Sequence, residues 1–168
     1  HYRVRWSNIM VLKQPGFTLL EMLIVVAIMG ALAAAASPFT QEWYNTAKVN
    51  EMTGVLQEGR ARAKALALSN ANVTQGDNIA ALLCPENNIL YLYAAPPSAC
   101  GVAGAVWSSR FPGAPSTTVT LNDNNWTTCI ALNSLALPSN VAFEGAACPV
   151  QRDMSVARGG TNVSFILY

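Results

Sequence analysis

Residues 16–21 read Gly-Phe-Thr-Leu-Leu-Glu and open an apolar run that continues to Ala36. The residues of this run that are not apolar are Thr18, Glu21 and Gly30. A helix of about 20 residues, rising about 1.5 Å per residue, is long enough to cross a bilayer core about 30 Å thick. The sequence therefore predicts a membrane-anchoring helix over residues 17–37.

Glu21 is the one acidic residue within the apolar run. A charged side chain inside a bilayer costs about 2.5–3.5 kcal/mol on insertion scales. A chain that keeps such a residue is expected to pair it with a partner. The alternative is a carboxylate solvated at the membrane edge, because few residues of the run precede it. We predict that Glu21 acts in assembly with another chain.

Basic residues set the predicted orientation of the anchor. Arg3, Arg5 and Lys13 precede the apolar run, and the next basic residue after it is Lys48. The excess of Lys and Arg on the cytoplasmic side of membrane helices places the N-terminus in the cytoplasm. The rest of the chain is then exported.

All four cysteines lie in the exported part of the chain. They are Cys84, Cys100, Cys129 and Cys148. An even number of cysteines in an oxidising compartment indicates disulfides, and four cysteines allow three pairings. We favour the pairing of neighbours, Cys84 with Cys100 and Cys129 with Cys148.

Beyond the apolar run, residues 38–70 are predicted to continue the helix in amphipathic form. Apolar or small residues recur at spacings of three and four and form one stripe along this segment. The stripe consists of Met52, Val55, Leu56, Gly59, Ala63 and Leu66. A turn at residues 75–78 is predicted after the helix ends.

Residues 71–168 are predicted to form a β-rich globular head. Short runs of β-branched and aromatic residues are separated by Asn, Gly, Pro and Ser, with a hairpin turn at Asn87-Asn88 and a long connection over residues 94–115. The predicted strands are Ile79–Leu83, Ile89–Tyr93, Thr117–Leu121, Trp126–Leu132, Val141–Phe143 and Val163–Tyr168. The expected fold class is α+β, with a long N-terminal helix packed on an antiparallel sheet.

Composition argues against an enzyme. The one histidine is His1, and the chain has no nucleophile elbow, phosphate-binding glycine loop or metal-ligand cluster. We therefore predict no catalytic residue, cofactor or metal. Residues 122–125 read Asn-Asp-Asn-Asn, which could hold calcium but more commonly forms a plain turn. If the chain were cleaved after Gly16, it would lose three of its ten basic residues and keep seven against nine acidic ones, which argues against broad nucleic-acid binding.

The junction at Gly16 and Phe17 resembles the prepilin cleavage motif of type IV pilins and type II secretion pseudopilins. Lys13 supplies the basic leader, and Gly30 and Pro38 stand where this family has its helix-softening residues. The resemblance implies that residues 1–16 are a leader. A prepilin peptidase would cut after Gly16 and methylate the new amine of Phe17.

The same resemblance implies a role for Glu21 and a set of partners. In a filament, Glu21 would meet the α-amine of Phe17 of a neighbouring subunit. The partners would be the prepilin peptidase, other pilin subunits and the pilus or secretion assembly platform. Before assembly the chain would span the bacterial inner membrane once, with a periplasmic head.

Residues 56–63 resemble the corresponding segment of GspH/FimT/FimU-type minor pilins and pseudopilins, which have a Leu-Gln-x-Ala-Arg-x-x-Ala pattern. Gly59 stands in place of the usual Ala. This resemblance implies a minor pilin, with a place at the filament tip as one expectation. A type II secretion pseudopilin is the alternative. A DNA-binding minor pilin is a further one, although Arg152 and Arg158 do not complete the Gly-Arg-x-Arg motif of such proteins.

Other readings of the N-terminus remain open. Met10 is predicted to be the start of translation, because the chain begins with His1. An ordinary secretory signal peptide cut after Ala36 fits poorly with an internal charge and a run of this length. An unprocessed single-span membrane protein is the other alternative.

Overall fold

The computed structural model describes residues 16–70, 79–150 and 153–166. The predicted turn at residues 75–78 therefore lies outside the described residues. The same is true of Arg152, Tyr168 and the leader up to residue 15.

A single long helix, α1, runs from Leu19 to Ser69. It confirms the continuous helix predicted from the apolar run and the amphipathic stripe. At its C-terminal end, the side-chain amide of Asn70 donates hydrogen bonds to the carbonyl oxygens of Ala80 (3.1 Å) and Ala94 (2.7 Å). Asn70 thereby ties the helix end to the first two strands.

The chain divides into two compact units, one ending at Phe39 and the other comprising Thr40–Tyr168. In the first unit the described helical side chains are exposed. By length and composition alone, α1 is apolar enough to cross a membrane. The second unit contains the amphipathic half of α1 and every strand.

Eleven strands follow the helix in the part of the chain that the structure describes. They are β1 (Ala81–Glu86), β2 (Ile89–Tyr93), β3 (Trp107–Arg110), β4 (Thr118–Leu121), β5 (Asn124–Asn125), β6 (Ile130–Leu132), β7 (Pro138–Ser139), β8 (Ala142–Phe143), β9 (Ala146–Ala147), β10 (Asp153–Arg158) and β11 (Thr161–Ile166). They form a five-stranded sheet with order β3-β2-β1-β6-β7, a four-stranded sheet with order β11-β10-β4-β5, and the small pair β8-β9. All pairings are antiparallel, which confirms the predicted α+β class.

Two-residue turns set the register of the main hairpins. Asn87 and Asn88 both have positive φ (50° and 62°) and close β1 onto β2, as predicted. Asparagine tolerates this left-handed conformation better than most residues. Gly159 (φ 57°) and Gly160 close β10 onto β11, with Arg158 opposite Thr161.

The main core lies between α1 and the two large sheets. The three inner strands of the five-stranded sheet, β2, β1 and β6, send alternate side chains toward the helix, as the period of two requires. The largest fully buried side chains from α1 are Met52 and Val49. The members from the strands include Leu83, Leu90, Ile130, Leu121, Met154 and Val156.

A second core covers the opposite face of the five-stranded sheet. The intervening residues of the same strands pack there with Phe143 and three of the four cysteines. The members of this second cluster are Leu82, Cys84, Tyr91, Tyr93, Cys129, Ala131, Phe143 and Cys148. The central strands are therefore buried on both faces.

The predicted strand Trp126–Leu132 is wrong in its first half. The backbone N–H of Trp126 donates to Val119 in the four-stranded sheet (3.0 Å), whereas Ile130 pairs with Leu83 in the five-stranded sheet. The chain changes sheets between these residues, so it cannot stay in one ladder.

The remaining differences between the predicted and observed strands lie where the sequence pattern for a strand is weak. The first predicted strand is displaced, because β1 begins at Ala81 and ends at Glu86. The connection at residues 94–115 contains the short strand β3, and neither β10 nor the two-residue strands β5, β7 and β9 were predicted. The other predicted strands coincide with β2, β4, β8 and β11 within two residues over their described parts.

Candidate functional site

The N-terminal junction has a defined local geometry. Residues 16–18 precede the helix, and Thr18 caps it. The side-chain Oγ1 of Thr18 accepts a hydrogen bond from the backbone N–H of Glu21 (3.2 Å). The carbonyl oxygen of Thr18 accepts from Glu21 (3.1 Å) and Met22 (3.2 Å). Thr18 is therefore the N-cap of α1, and Glu21 occupies its third helical position.

The capping role of Thr18 was missed by the sequence analysis. The signal was present, because Thr-x-x-Glu ahead of an apolar run is the capping-box pattern. A carboxylate in the first turn of a helix also interacts favourably with the helix dipole, by about 0.3–1 kcal/mol in exposed settings. The local fold therefore offsets part of the cost of placing Glu21 at the start of an apolar helix.

The peptide bond between Gly16 and Phe17 is accessible. A Cβ added at Gly16 would have no heavy atom within 4 Å, and Phe17 is 78% exposed. No side chain among the described residues donates to the carboxylate of Glu21, which is itself exposed. The junction thus offers an open backbone and an exposed carboxylate that has no partner among the described residues.

Large apolar side chains on the first unit are also exposed. They include Leu19, Leu20, Leu23, Ile24, Val26, Ile28, Met29 and Leu32, each at least half exposed. Such a surface requires lipid or another protein around it. Trp43 and Tyr44, which lie just beyond the anchor, are exposed as well, at 75% and 48%.

Arg158, considered above as a DNA contact, is engaged within the head. Its Nε donates to Asn45 Oδ1 (3.1 Å), and one terminal nitrogen donates to the carbonyl of Gly113 (2.7 Å) and to Thr117 Oγ1 (3.2 Å). Its guanidinium also lies 5.2 Å from the ring centroid of Tyr44. Arg158 therefore joins the β10–β11 turn to the helix and to the loop before β4.

The basic side chains of the amphipathic half of α1 do not lie on one face of the helix. Arg62 forms an ion pair with Glu58 (2.7 Å) and lies 5.4 Å from the ring centroid of Trp107. Arg60 and Lys64 instead line a groove beside β11. The structure separates Arg62 from the other two, as their helical spacing predicts.

Gly59 explains the departure from the usual alanine pattern. A Cβ at this position would lie 2.9 Å from Leu90 Cδ2 and 3.3 Å from Trp107 Cζ3. Gly59 thus leaves room for the Trp107 ring and Leu90 to reach the helix backbone.

Both disulfides pair neighbouring cysteines, Cys84 with Cys100 and Cys129 with Cys148. The first fastens the loop after β2 to β1, and the second fastens the segment after β9 to the start of β6. This is the pairing that we favoured from the sequence. The loop that contains Cys100 is also held by Tyr93, whose hydroxyl accepts from the N–H of Gly101 (2.7 Å) and donates to its carbonyl oxygen.

Of the Asn/Asp-rich residues 122–125, the first two form the turn between β4 and β5, and the last two are β5 itself. Asn122 (φ 52°) and Asp123 (φ 63°) are left-handed, and Asn122 Oδ1 accepts from the N–H of Asp153 (3.1 Å). Asn124 donates to the carbonyl of Asn122 (2.9 Å). Within the described ranges, no group of three or more His, Cys, Asp or Glu side chains is placed to hold a metal ion.

Comparisons with known proteins concern the same N-terminal junction. The prokaryotic N-terminal methylation motif matches residues 12–37, which include the predicted cleavage site and the apolar run.

Several curated proteins are similar to the chain over a longer stretch. The fimbrial protein EcpC of Eikenella corrodens is 36% identical over 93 residues, which is 55% of this chain and 60% of that protein. The type IV major pilin protein PilE of Neisseria gonorrhoeae is 38% identical over 76 residues, 45% of either chain. The type IV major alpha-pilin of Moraxella bovis is 36% identical over 73 residues, 39% of this chain and 46% of that protein.

The chain thus spans about half the length of these curated relatives. No solved structure matches it significantly.

Proposed function

We propose that this chain, which belongs to the type IV pilin family, is a structural subunit of a type IV pilus. In this proposal, prepilin peptidase cuts between Gly16 and Phe17 and methylates the amine of Phe17. Residues 1–16 leave as the leader, and the apolar half of α1 passes from the membrane into the filament core.

One observation carries the proposal. Glu21 is held in the first turn of an exposed apolar helix, and its carboxylate has no partner among the described residues. Cleavage at the open Gly16–Phe17 bond creates a cationic α-amine at the end of the same helix. Because one chain's amine and another's carboxylate attract more strongly in an apolar core than in water, their pairing lowers the cost of burying each charge.

Before assembly, the chain spans the bacterial inner membrane once, with the N-terminus in the cytoplasm and the head in the periplasm. The basic residues ahead of the anchor support this orientation. The exposed rings of Trp43 and Tyr44 are suited to the membrane interface at this stage and to contacts between subunits later.

The finer proposal is a minor pilin, assembled with other pilin subunits by the pilus platform and positioned at the tip. Its support is the pattern of residues 56–63, in which Gly59 accommodates Trp107. A type II secretion pseudopilin is the alternative, because the same junction would serve it. The number of copies of this chain per filament, measured in sheared pili, distinguishes a minor from a major pilin. A minor pilin is present at a small fraction of the amount of the most abundant pilin. Absence from pili, together with loss of secretion on deletion of its gene, would favour the pseudopilin.

The proposed role is structural and non-enzymatic, and DNA capture is not favoured. Arg158 and Arg62 have partners within the head, so neither presents an unengaged guanidinium to a phosphate. A gel shift of the protein with DNA at low salt, where phosphate contacts are strongest, should show no complex.

The test of the assembly role is Glu21→Ala in the native host. The variant should still be inserted and cleaved, because Gly16 and Phe17 are unchanged, and intact mass should show a start at methylated Phe17. Its amount in sheared pili should fall, since the carboxylate is gone. The matched control is Glu42→Ala, which removes an exposed carboxylate farther along the same helix and should assemble normally. Normal incorporation of Glu21→Ala would exclude charge pairing as the basis of assembly.

A further inference from the structure

The strand β11 forms an open edge of the four-stranded sheet. Sheet edges invite pairing with other chains, and proteins usually protect them with charges, prolines, bulges or very short strands. The opposite edge of this sheet, β5, and one edge of the five-stranded sheet, β7, have two residues each. β11 has six residues, Thr-Asn-Val-Ser-Phe-Ile, without a charge or a proline. Among the described residues, only β10 pairs with it.

The register identifies which backbone groups face outward. In a hairpin with a two-residue turn, the closing pair is hydrogen-bonded and the pairs then alternate. Arg158 and Thr161 are the closing pair. The backbone groups of Asn162, Ser164 and Ile166 therefore point away from β10, toward the open edge.

A groove accompanies this edge on the side of the helix. It has a volume of about 380 Å³ and is lined by Gln57, Arg60, Ala61, Lys64, Phe165 and Ile166. Val163 and Phe165 are half-buried against the main core, so this face of β11 is the one that looks toward α1. A strand added to the edge would place alternate side chains in the groove.

The charge of the groove constrains its occupant. Arg60 has no carboxylate partner among the described residues, in contrast to Arg62, which is paired with Glu58. If an added strand carried a carboxylate on its helix-facing side, that carboxylate could pair with Arg60. The rest of that side must be apolar, because Ala61 and Phe165 line the same groove.

We propose that β11 is a docking edge for an extended segment of a different protein chain, whose helix-facing side chains are apolar with one carboxylate. The pairing requires neither processing nor filament assembly, so it stands independently of the proposed function. A second copy of this chain is disfavoured as the occupant. Two antiparallel β11 strands would bring both helices to the same face of the joined sheet, with Arg60 and Lys64 of each copy facing their counterparts.

The experiment uses the full chain in detergent and two end-capped fluorescent peptides. One peptide is Thr-Val-Thr-Glu-Thr-Val-Thr, which places Val, Glu and Val on one side of a strand, and the other has Lys in place of Glu. Fluorescence anisotropy measures their binding at low ionic strength. We expect saturable binding of the Glu peptide, at least about tenfold tighter than that of the Lys peptide.

Three variants make the test specific. Ser164→Pro removes an outward N–H without removing a bond to β10, and should weaken binding of the Glu peptide by at least about tenfold. Ser164→Ala keeps that N–H and should bind normally. Arg60→Glu should reverse the preference between the two peptides, which keeps the test valid if the proline variant unfolds.

Several outcomes would overturn the proposal. They are the absence of saturable binding, equal affinity for both peptides, and native affinity in a folded Ser164→Pro variant. Sedimentation of the unmodified chain tests one further outcome. If the chain forms a dimer that Ser164→Pro abolishes, the occupant of the edge is a second copy of this chain.

Discussion

Two glycines on the amphipathic half of α1 have opposite surroundings and allow a matched experiment. A Cβ at Gly54 would meet no heavy atom within 4 Å. A Cβ at Gly59 would meet the fully buried Leu90 at 2.9 Å and the ring of Trp107 at 3.3 Å. The two substitutions to alanine therefore add the same methyl group to the same helix, but only the one at Gly59 adds it where other side chains are in close contact.

The expected magnitudes follow from two effects of opposite sign. Alanine is more favourable than glycine in a helix interior by about 0.8–1.0 kcal/mol. Adding a methyl group to a packed core costs about 1–3 kcal/mol. Gly54→Ala should therefore stabilise the protein by about 1 kcal/mol, whereas Gly59→Ala should destabilise it by up to about 2 kcal/mol.

The assay is calorimetric unfolding of the full chain in detergent. In proteins of about 150–250 residues, 1 kcal/mol shifts the melting temperature by about 2–4 °C. Gly54→Ala should melt above the unmodified chain and Gly59→Ala below it, with about 2–12 °C between the variants. In a Leu90→Val background, which removes the atom of closest approach, the penalty at Gly59 should shrink. Equal melting temperatures for the two alanine variants would refute the close approach of Leu90 and Trp107.

Three other predictions concern the head. Reduction of both disulfides should lower the melting temperature, because closing a loop of about 15 residues contributes about 3 kcal/mol; an unchanged melting temperature would contradict this. Arg158→Ala should destabilise the head by about 1–3 kcal/mol, since it removes the hydrogen bonds that the guanidinium donates to Asn45, Gly113 and Thr117, and Arg110→Ala, which alters an exposed arginine, is the control. Burial raises the pKa of Tyr93 above its usual value of 10.0. The folded state then keeps a proton that the unfolded state loses, so stability should fall as the pH rises above about 10, and a Tyr93→Phe variant with the same decline would exclude Tyr93 as its source.

The helix was predictable because its signals are long and redundant. The apolar run and the stripe that includes Met52, Leu56 and Ala63 both continue over many turns, and the structure buries these three residues. The turn at Asn87-Asn88 was predictable from local chemistry, since both residues adopt the left-handed conformation that asparagine tolerates.

The missed elements depend on contacts distant in sequence. β10 alternates buried Met154 and Val156 with more exposed residues, but it opens on Asp153 and contains few strong strand formers. The break after Trp126 follows from the change of sheet, which no local pattern encodes. At the candidate site, the roles of Glu21 and of the peptide bond before Phe17 stay predictions, whereas the capping role of Thr18, although its Thr-x-x-Glu pattern was present in the sequence, was missed.

The five-stranded sheet has one face toward the helix and another closed by loops and disulfides. Because the second cluster fills that outer face with its own apolar side chains, exposed loop residues such as Val102 and Leu135 contribute nothing to the helix-side core. Substitutions there are therefore expected to be neutral for folding. Such a molecule can change the surface that it shows to its surroundings without altering the contacts between its helix and the main core.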